Sequence, residues 1–101
     1  MSASKTVGAP VEELFRVVTD AGMRERWLPD GLLAERTARP RRSARFDWGD
    51  GTTRVNFGFV DKGTRSQVAL AHERLPDQET ADKTKRYWRD RLTRLKQLLE
   101  G

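Results

Sequence analysis

The longest periodic stretch of the chain runs from Pro76 to Leu99. Ala81, Trp88, Leu92, Leu95 and Leu99 recur at helical spacing, with Thr84 and Lys85 filling the gap and charged residues on the remaining faces. That pattern predicts one long amphipathic helix. Asp77 stands where an N-cap belongs and Glu79 falls in the first turn. Arg91, Arg94 and Lys96 lie toward the other end, ahead of Gly101. This is the charge order that the helix dipole favours. At 1.5 Å per residue the helix would extend about 35 Å, so it needs a long apolar surface to lie on.

The residues before it alternate with period two. From Leu32 onward the pattern is that of strands, beginning with a short one over Leu33 to Ala38 that ends in a basic turn, Arg39-Pro40-Arg41-Arg42. Ala44, Phe46 and Trp48 alternate with Arg45 and Asp47. Val55, Phe57 and Phe59 alternate with Arg54, Asn56 and Gly58, and Val68, Leu70 and His72 with Ala69, Ala71 and Glu73. Each run predicts a strand with one apolar face. Gly49-Asp50-Gly51-Thr52 and Asp61-Lys62-Gly63-Thr64 supply the hairpin turns between them, the Asp-Gly pair being a strong hairpin signal.

Ahead of this meander, Lys5 to Gly8 predicts a first strand, and residues 1–4 read as a loose leader. Pro10 suits the first position of a helix, with Glu12 and Glu13 in its first turn and Val11, Leu14, Phe15 and Val18 as its apolar stripe. Asp20 is placed to cap a second short helix over Met23 to Trp27, and Leu28-Pro29-Asp30-Gly31 breaks the pattern. The sum is an α+β domain: a strand, two short helices, an antiparallel sheet of four to five strands in all, and the long helix. The sheet and that helix each have a single apolar face, and the two match.

Composition narrows the picture. At 101 residues the chain predicts one domain over 1–101. Apolar residues make up 36% and charged residues 35%, yet the eight aromatics fall at patterned positions, which argues for a folded core. The chain has no cysteine, so disulfides are excluded and the cytoplasm is the expected location. No apolar run is long enough to span a membrane and no signal-peptide pattern opens the chain. The net charge of +5 is concentrated at Arg36, Arg39, Arg41, Arg42 and Arg45, and along the last helix. Such groups attract any polyanion in a salt-dependent way. No helix-turn-helix, zinc finger or aromatic platform accompanies them, so they read as solvated faces and specific nucleic-acid binding is not expected.

Candidate chemistry is sparse. There is no Gly-x-Ser-x-Gly, no P-loop and no dinucleotide fingerprint. One histidine without cysteine or clustered carboxylates offers no metal ligand set, and no cofactor is expected. His72 falls on the apolar parity of its strand, where it recognises a ligand oxygen, or acts as an acid or base, or is a boundary histidine satisfied by backbone or a nearby acid. Trp27, Trp48, Phe57, Phe59 and Trp88 either line a ligand pocket or pack as plain core. Trp27, beside Pro29 and Gly31, has the loop position of a lid. Tyr87 lies off the helix's main stripe, at a rim or an oligomer contact.

Ordered along the chain, these features resemble the Bet v 1-like helix-grip superfamily that includes START domains and polyketide cyclases. The matching positions are Ala9-Pro10-Val11 with Glu13-Leu14-Phe15, then Arg26-Trp27-Leu28-Pro29, Ala44-Arg45-Phe46-Asp47-Trp48, Gly58-Phe59 and His72-Glu73-Arg74-Leu75-Pro76. The last is the helix carrying Trp88, Leu92, Leu95 and Leu99. Within the superfamily the chain looks closest to the activator-of-heat-shock-ATPase homologue branch, over about residues 5 to 100. The resemblance implies an antiparallel sheet curled against the long helix, with an apolar cavity between them. It transfers no catalytic residue. Typical members are longer, with about seven strands, so here the cavity is expected to be shallow, open to solvent or closed by a second copy. The leading expectation is a non-enzymatic binding domain for a small apolar ligand or a protein partner, with Trp27, Trp48, Phe57, Phe59, His72 and Trp88 as pocket candidates. The alternatives are a homo-oligomeric protein-interaction module without a ligand cavity, with a homodimer as a possible form, and a cyclase- or hydrolase-like enzyme using His72.

Overall fold

Backbone pairing begins almost at the first residue. In the computed structural model, which describes residues 1–31 and 33–101, β1 (Ser2–Val7) leads into α1 (Val11–Thr19) and α2 (Ala21–Arg24). Strands β2 (Leu33–Arg39), β3 (Ser43–Trp48), β4 (Thr53–Lys62) and β5 (Arg65–Glu73) follow, and α3 (Gln78–Glu100) closes the chain. Leu32, where the strand pattern starts in sequence, lies outside the described residues. The five strands form one antiparallel sheet in the order β1-β5-β4-β3-β2. The expected α+β helix-grip architecture is therefore the observed one.

Register explains the single core. Phe46 pairs with Val55, Ala44 with Phe57, Phe57 with Leu70, Phe59 with Val68 and Val55 with His72. Every inward residue thus lies in a row with other inward residues across three strands. All of these are buried together with Val11, Leu14, Val17 and Val18 of α1 and Trp88, Leu92 and Leu95 of α3. The alternate residues, Arg45, Asn56, Gly58 and Ala69 among them, make up the opposite face, which no helix covers. In the β3–β4 turn Gly49 and Gly51 both adopt positive φ, +60° and +88°, a conformation that glycine enters without a side-chain clash.

Three boundaries differ from the sequence reading. Residues 2–4 are not loose, and β1 does not wait for Lys5. Ser2, Ala3 and Ser4 pair with Ala71, Leu70 and Ala69, the Met1 ammonium donates to the His72 carbonyl (3.1 Å), and the His72 N–H donates to the Met1 carbonyl (2.9 Å). Without this strand the outer edge of β5 would leave its backbone groups unpaired. Serine and alanine give no hydropathy alternation by which to foresee it. Pro10 is the residue before α1 and not its first, with ψ at 152°. The second helix starts at Ala21 and not Met23, because the Asp20 carboxylate accepts from the Met23 N–H (3.0 Å) and so fixes Ala21 as the first helical residue.

α3 is anchored at both ends. Asp77 accepts from the Thr80 N–H at 2.8 Å, which makes it the N-cap that the sequence places there. At the other end the Gly8 N–H donates to the Glu100 carboxylate at 2.6 Å, tying the helix to the β1–α1 connection. Between them Trp88, Leu92 and Leu95 are fully buried. Their burial contributes about 5–9 kcal/mol gross, comparable with the whole net stability of about 5–15 kcal/mol expected for a domain this size. Truncation after Arg86 should therefore leave a chain with no cooperative thermal transition by circular dichroism. A sharp transition in the truncate would mean that the sheet and α1 hold their own core.

Candidate functional site

His72 is the most constrained polar side chain in the core. It ends the inward row of β5, is only 2% exposed, and meets α3 where Trp88 arrives three turns after the Asp77 cap. The Trp88 indole N–H donates to His72 Nδ1 at 3.0 Å in a buried hydrogen bond, and His72 Nε2 lies 2.9 Å from the Thr53 hydroxyl oxygen of β4. An indole only donates, so Nδ1 must carry the lone pair and Nε2 the proton. The imidazole is neutral, in a single tautomer, with both nitrogens engaged. Burial, and after it the nearby Met1 ammonium, pushes its pKa down to about 4. Trp48 closes over it edge-on, with ring centroids 5.4 Å apart, and also packs 5.3 Å from Trp88.

Beside this cluster the surface opens. Where the β3–β4 hairpin, the end of β5 and the first turns of α3 meet, they enclose a groove of about 600 Å³, open to solvent. Its walls are Trp48, Leu75, Pro76 and Tyr87, with Thr53 and His72 on the buried side and Asp50 and Lys83 at the rim. Arg74, at φ +66°, turns the chain out of β5, and Leu75 and Pro76 follow as one wall. Tyr87 forms the other, its ring 5.8 Å from that of Trp48. The Tyr87 hydroxyl donates to Asp30 (3.2 Å), Arg91 pairs with the same carboxylate (2.9 Å), and the Arg91 guanidinium lies over the Tyr87 ring at 4.9 Å. Burial, then the Asp30 charge, raises the Tyr87 phenol.

Of the six pocket candidates, the structure brings Trp48 and His72 to this groove. Phe57, Phe59 and Trp88 are core residues that do not line it. Trp27 is no lid: it is fully buried, and its indole N–H donates to the Val17 carbonyl at 2.9 Å. Val17 belongs to the last turn of α1, whose carbonyls have no partner within the helix. Trp27 takes one of them, and Arg24 takes that of Val18 at 2.8 Å. Thr53, Leu75 and Pro76 escaped the sequence reading because they stand next to turns, where no periodicity marks a face. Tyr87, off the helix's main stripe, stands as one wall of the groove.

Some of the basic residues have acidic partners. Arg36 pairs with Asp47, Arg41 with Glu12, Lys83 with Glu79 and Arg94 with Asp90, at 3.1, 3.4, 3.4 and 3.3 Å. These are solvent-exposed pairs, each worth little to stability. Among the described residues no three histidine or carboxylate side chains converge as a metal site, and no helix is long and apolar enough to cross a membrane.

An antiparallel sheet that holds one long C-terminal helix against its apolar face, with two short helices after the first strand, defines the helix-grip class. Residues 34–100 match the family model described as Activator of Hsp90 ATPase homolog 1-like protein, and the chain belongs to that family. The solution structure of the Aha1 dimer from Colwellia psychrerythraea is similar with a TM-score of 0.85 at 13% identity, over 99% of this chain and 95% of that one. A Chromobacterium violaceum protein also gives 0.85, at 16% identity over 100% and 97% of the two chains. An AHSA1-like protein of Rhizobium etli gives 0.75 at 20% identity, over 100% and 82%. No protein of curated function matches the sequence. At these identities the likeness is one of fold.

Two outcomes test the reading of the buried groups. A histidine with a folded-state pKa near 4 binds fewer protons folded than unfolded, where its value is near 6.5. Its contribution to stability is therefore full above about pH 6.5 and is lost as pH falls toward 4. Urea midpoints measured from pH 7 to 4 should decline more steeply for the wild type than for His72→Gln, which has no proton to gain; parallel curves would exclude the buried neutral imidazole. Trp27→Phe should cost about 1–3 kcal/mol in urea unfolding, because the Val17 carbonyl loses its buried donor. An unchanged midpoint would remove Trp27 from the capping of α1.

Proposed function

We propose that the protein is a non-enzymatic binding domain whose ligand is a small apolar molecule held between Trp48, Leu75, Pro76 and Tyr87. The observation that carries this reading is the groove itself: four apolar or aromatic walls, open to solvent, resting on a core that is already complete without an occupant. Binding pockets are typically of this kind, mostly apolar with a few placed polar groups. The state of His72 supports a binding role over an acid–base one. Its Nδ1 lone pair is taken by Trp88 and its Nε2 proton is directed at Thr53, so no free lone pair faces the groove. A general base needs one within reach of the proton it removes.

Homodimerisation is the competing reading, and the dimeric state of the Colwellia psychrerythraea relative favours it. A groove at one end of the molecule leaves the uncovered sheet face available to a second copy or to a protein partner, the chaperone-accessory role that the family's name suggests.

Titration with a panel of fatty acids, sterols and aromatic polyketides should quench tryptophan fluorescence saturably. Trp48→Phe should remove most of the response, since Trp48 is the one tryptophan that lines the groove among the described residues. Its melting temperature is measured beside the binding, because Trp48 also packs on His72 and Trp88. Leu75→Ala should weaken binding roughly five-fold, the equivalent of about 1 kcal/mol of lost apolar contact. No saturable response from any member of the panel, together with a dimeric mass by light scattering, would replace this function with the interaction module.

A further inference from the structure

The direction of one proton says more about the occupant of the groove. Trp88 can only donate, His72 must then accept at Nδ1 and donate from Nε2, and the Thr53 hydroxyl oxygen receives that bond at 2.9 Å. An oxygen that has accepted from His72 keeps its own proton for another acceptor. Among the described residues none takes it, and Thr53 borders the groove. Thr53 therefore keeps a hydrogen-bond donor free on the buried side of an apolar-walled site. The charged groups Lys83 and Asp50 stand at the rim instead, with opposite signs, and Lys83 is already paired with Glu79. A carboxylate at Thr53 would lose its hydration with only a hydroxyl in return, which is costly; a carbonyl loses little.

Resting on the binding role proposed above, we infer that the Trp88–His72–Thr53 chain makes Thr53 the specificity-determining donor of the groove, selecting apolar ligands that carry a neutral carbonyl oxygen. The consequence is a discrimination that bulk hydrophobicity does not give. Ligands of equal size and apolar area differ in affinity by whether they can accept one hydrogen bond from Thr53. The indole of Trp88 and the imidazole of His72 are positioning residues here: they occupy the acceptor side of the Thr53 hydroxyl, leaving its proton for the ligand, and do not touch the ligand's oxygen.

Three naphthalenes of similar shape serve as probes in proton–nitrogen NMR titrations of the full chain: 2-ethylnaphthalene, 2-acetylnaphthalene and 2-naphthoate. The wild type should bind the acetyl compound about five-fold more tightly than the ethyl one, the worth of a typical net hydrogen bond, and more tightly than the carboxylate. Thr53→Ser, which keeps the hydroxyl, should retain the preference. Thr53→Val should bind ethyl and acetyl compounds equally. Should Thr53→Val fail to fold, the probe ranking on wild type and Thr53→Ser still decides. Equal binding of the ethyl and acetyl compounds by wild type overturns the donor role and leaves the binding function standing. A preference that survives in Thr53→Val, or tighter binding of the carboxylate, overturns it as well. Binding of none of the three would end both this inference and the function on which it rests.

Discussion

The buried hydrogen bond between Trp88 and His72 joins the helix to the sheet at the point where neither could be displaced without loss. Apolar contacts along α3 tolerate small slides and rotations, because the hydrophobic effect has no direction. An indole N–H buried against an imidazole nitrogen at 3.0 Å does not: a shift of about an ångström would strand a polar group on each side in a dry core, at a cost of about 1–3 kcal/mol apiece. The pair therefore sets the register of the long helix over the sheet. From that register follow the burial of Leu92 and Leu95 one and two turns further on, and the placing of Tyr87, one residue before Trp88, at the margin of the core.

The same constraint produces the groove. α3 begins at Asp77, shortly after the left-handed turn at Arg74, so its first turns must rise from the end of the sheet before Trp88 can reach His72. Ala81, Thr84 and Tyr87 are half-buried along this approach, while full burial starts only at Trp88. A sheet of five strands has no further strand with which to fill the space beneath. The open volume at that end is thus a direct result of a short sheet and a helix pinned by its middle. Asp30, Arg91 and Tyr87 brace the side of the helix there, keeping one wall in place while the other is made from Leu75 and Pro76.

Much of this architecture was legible in the chain, because the strongest signals are those of burial. Phe46, Trp48, Phe57 and Leu70 declare their strands by parity, and Trp88, Leu92 and Leu95 declare α3 by period. Asp77 and Asp20 mark helix starts by a specific hydrogen bond that only a short polar side chain can make. What stayed hidden follows from the same physics. β1 is held by backbone pairing to β5, and Ser2, Ala3 and Ser4 carry no hydropathy to betray it. Trp27 has the flanks of a loop residue, and only its distance in space from Val17, ten residues back along the chain, reveals a cap. Of the groove, Trp48 and His72 were within reach because strand parity turned them inward. Thr53 was not, since the residue it bonds stands nineteen positions away along the chain.

His72 illustrates why a lone histidine in a core should be judged by its lone pair before its sequence context. To act as a base it would have to give up the indole of Trp88, which would leave that donor unpaired; to act as an acid it would have to give up the proton that it shares with Thr53. The first step breaks the contact that fixes α3 and produces an imidazolium in a site that burial and the Met1 ammonium both disfavour. The second would leave a buried imidazolate, from a group whose first ionisation as a neutral ring is far outside the range of general acids. Catalysis through this residue would therefore draw on the same few kilocalories that hold the domain together. Both nitrogens of His72 are already engaged before a ligand arrives, and the acceptor side of the Thr53 hydroxyl is taken by that ring. The geometry that occupies both nitrogens of His72 is the one from which the proposed role of its neighbour follows.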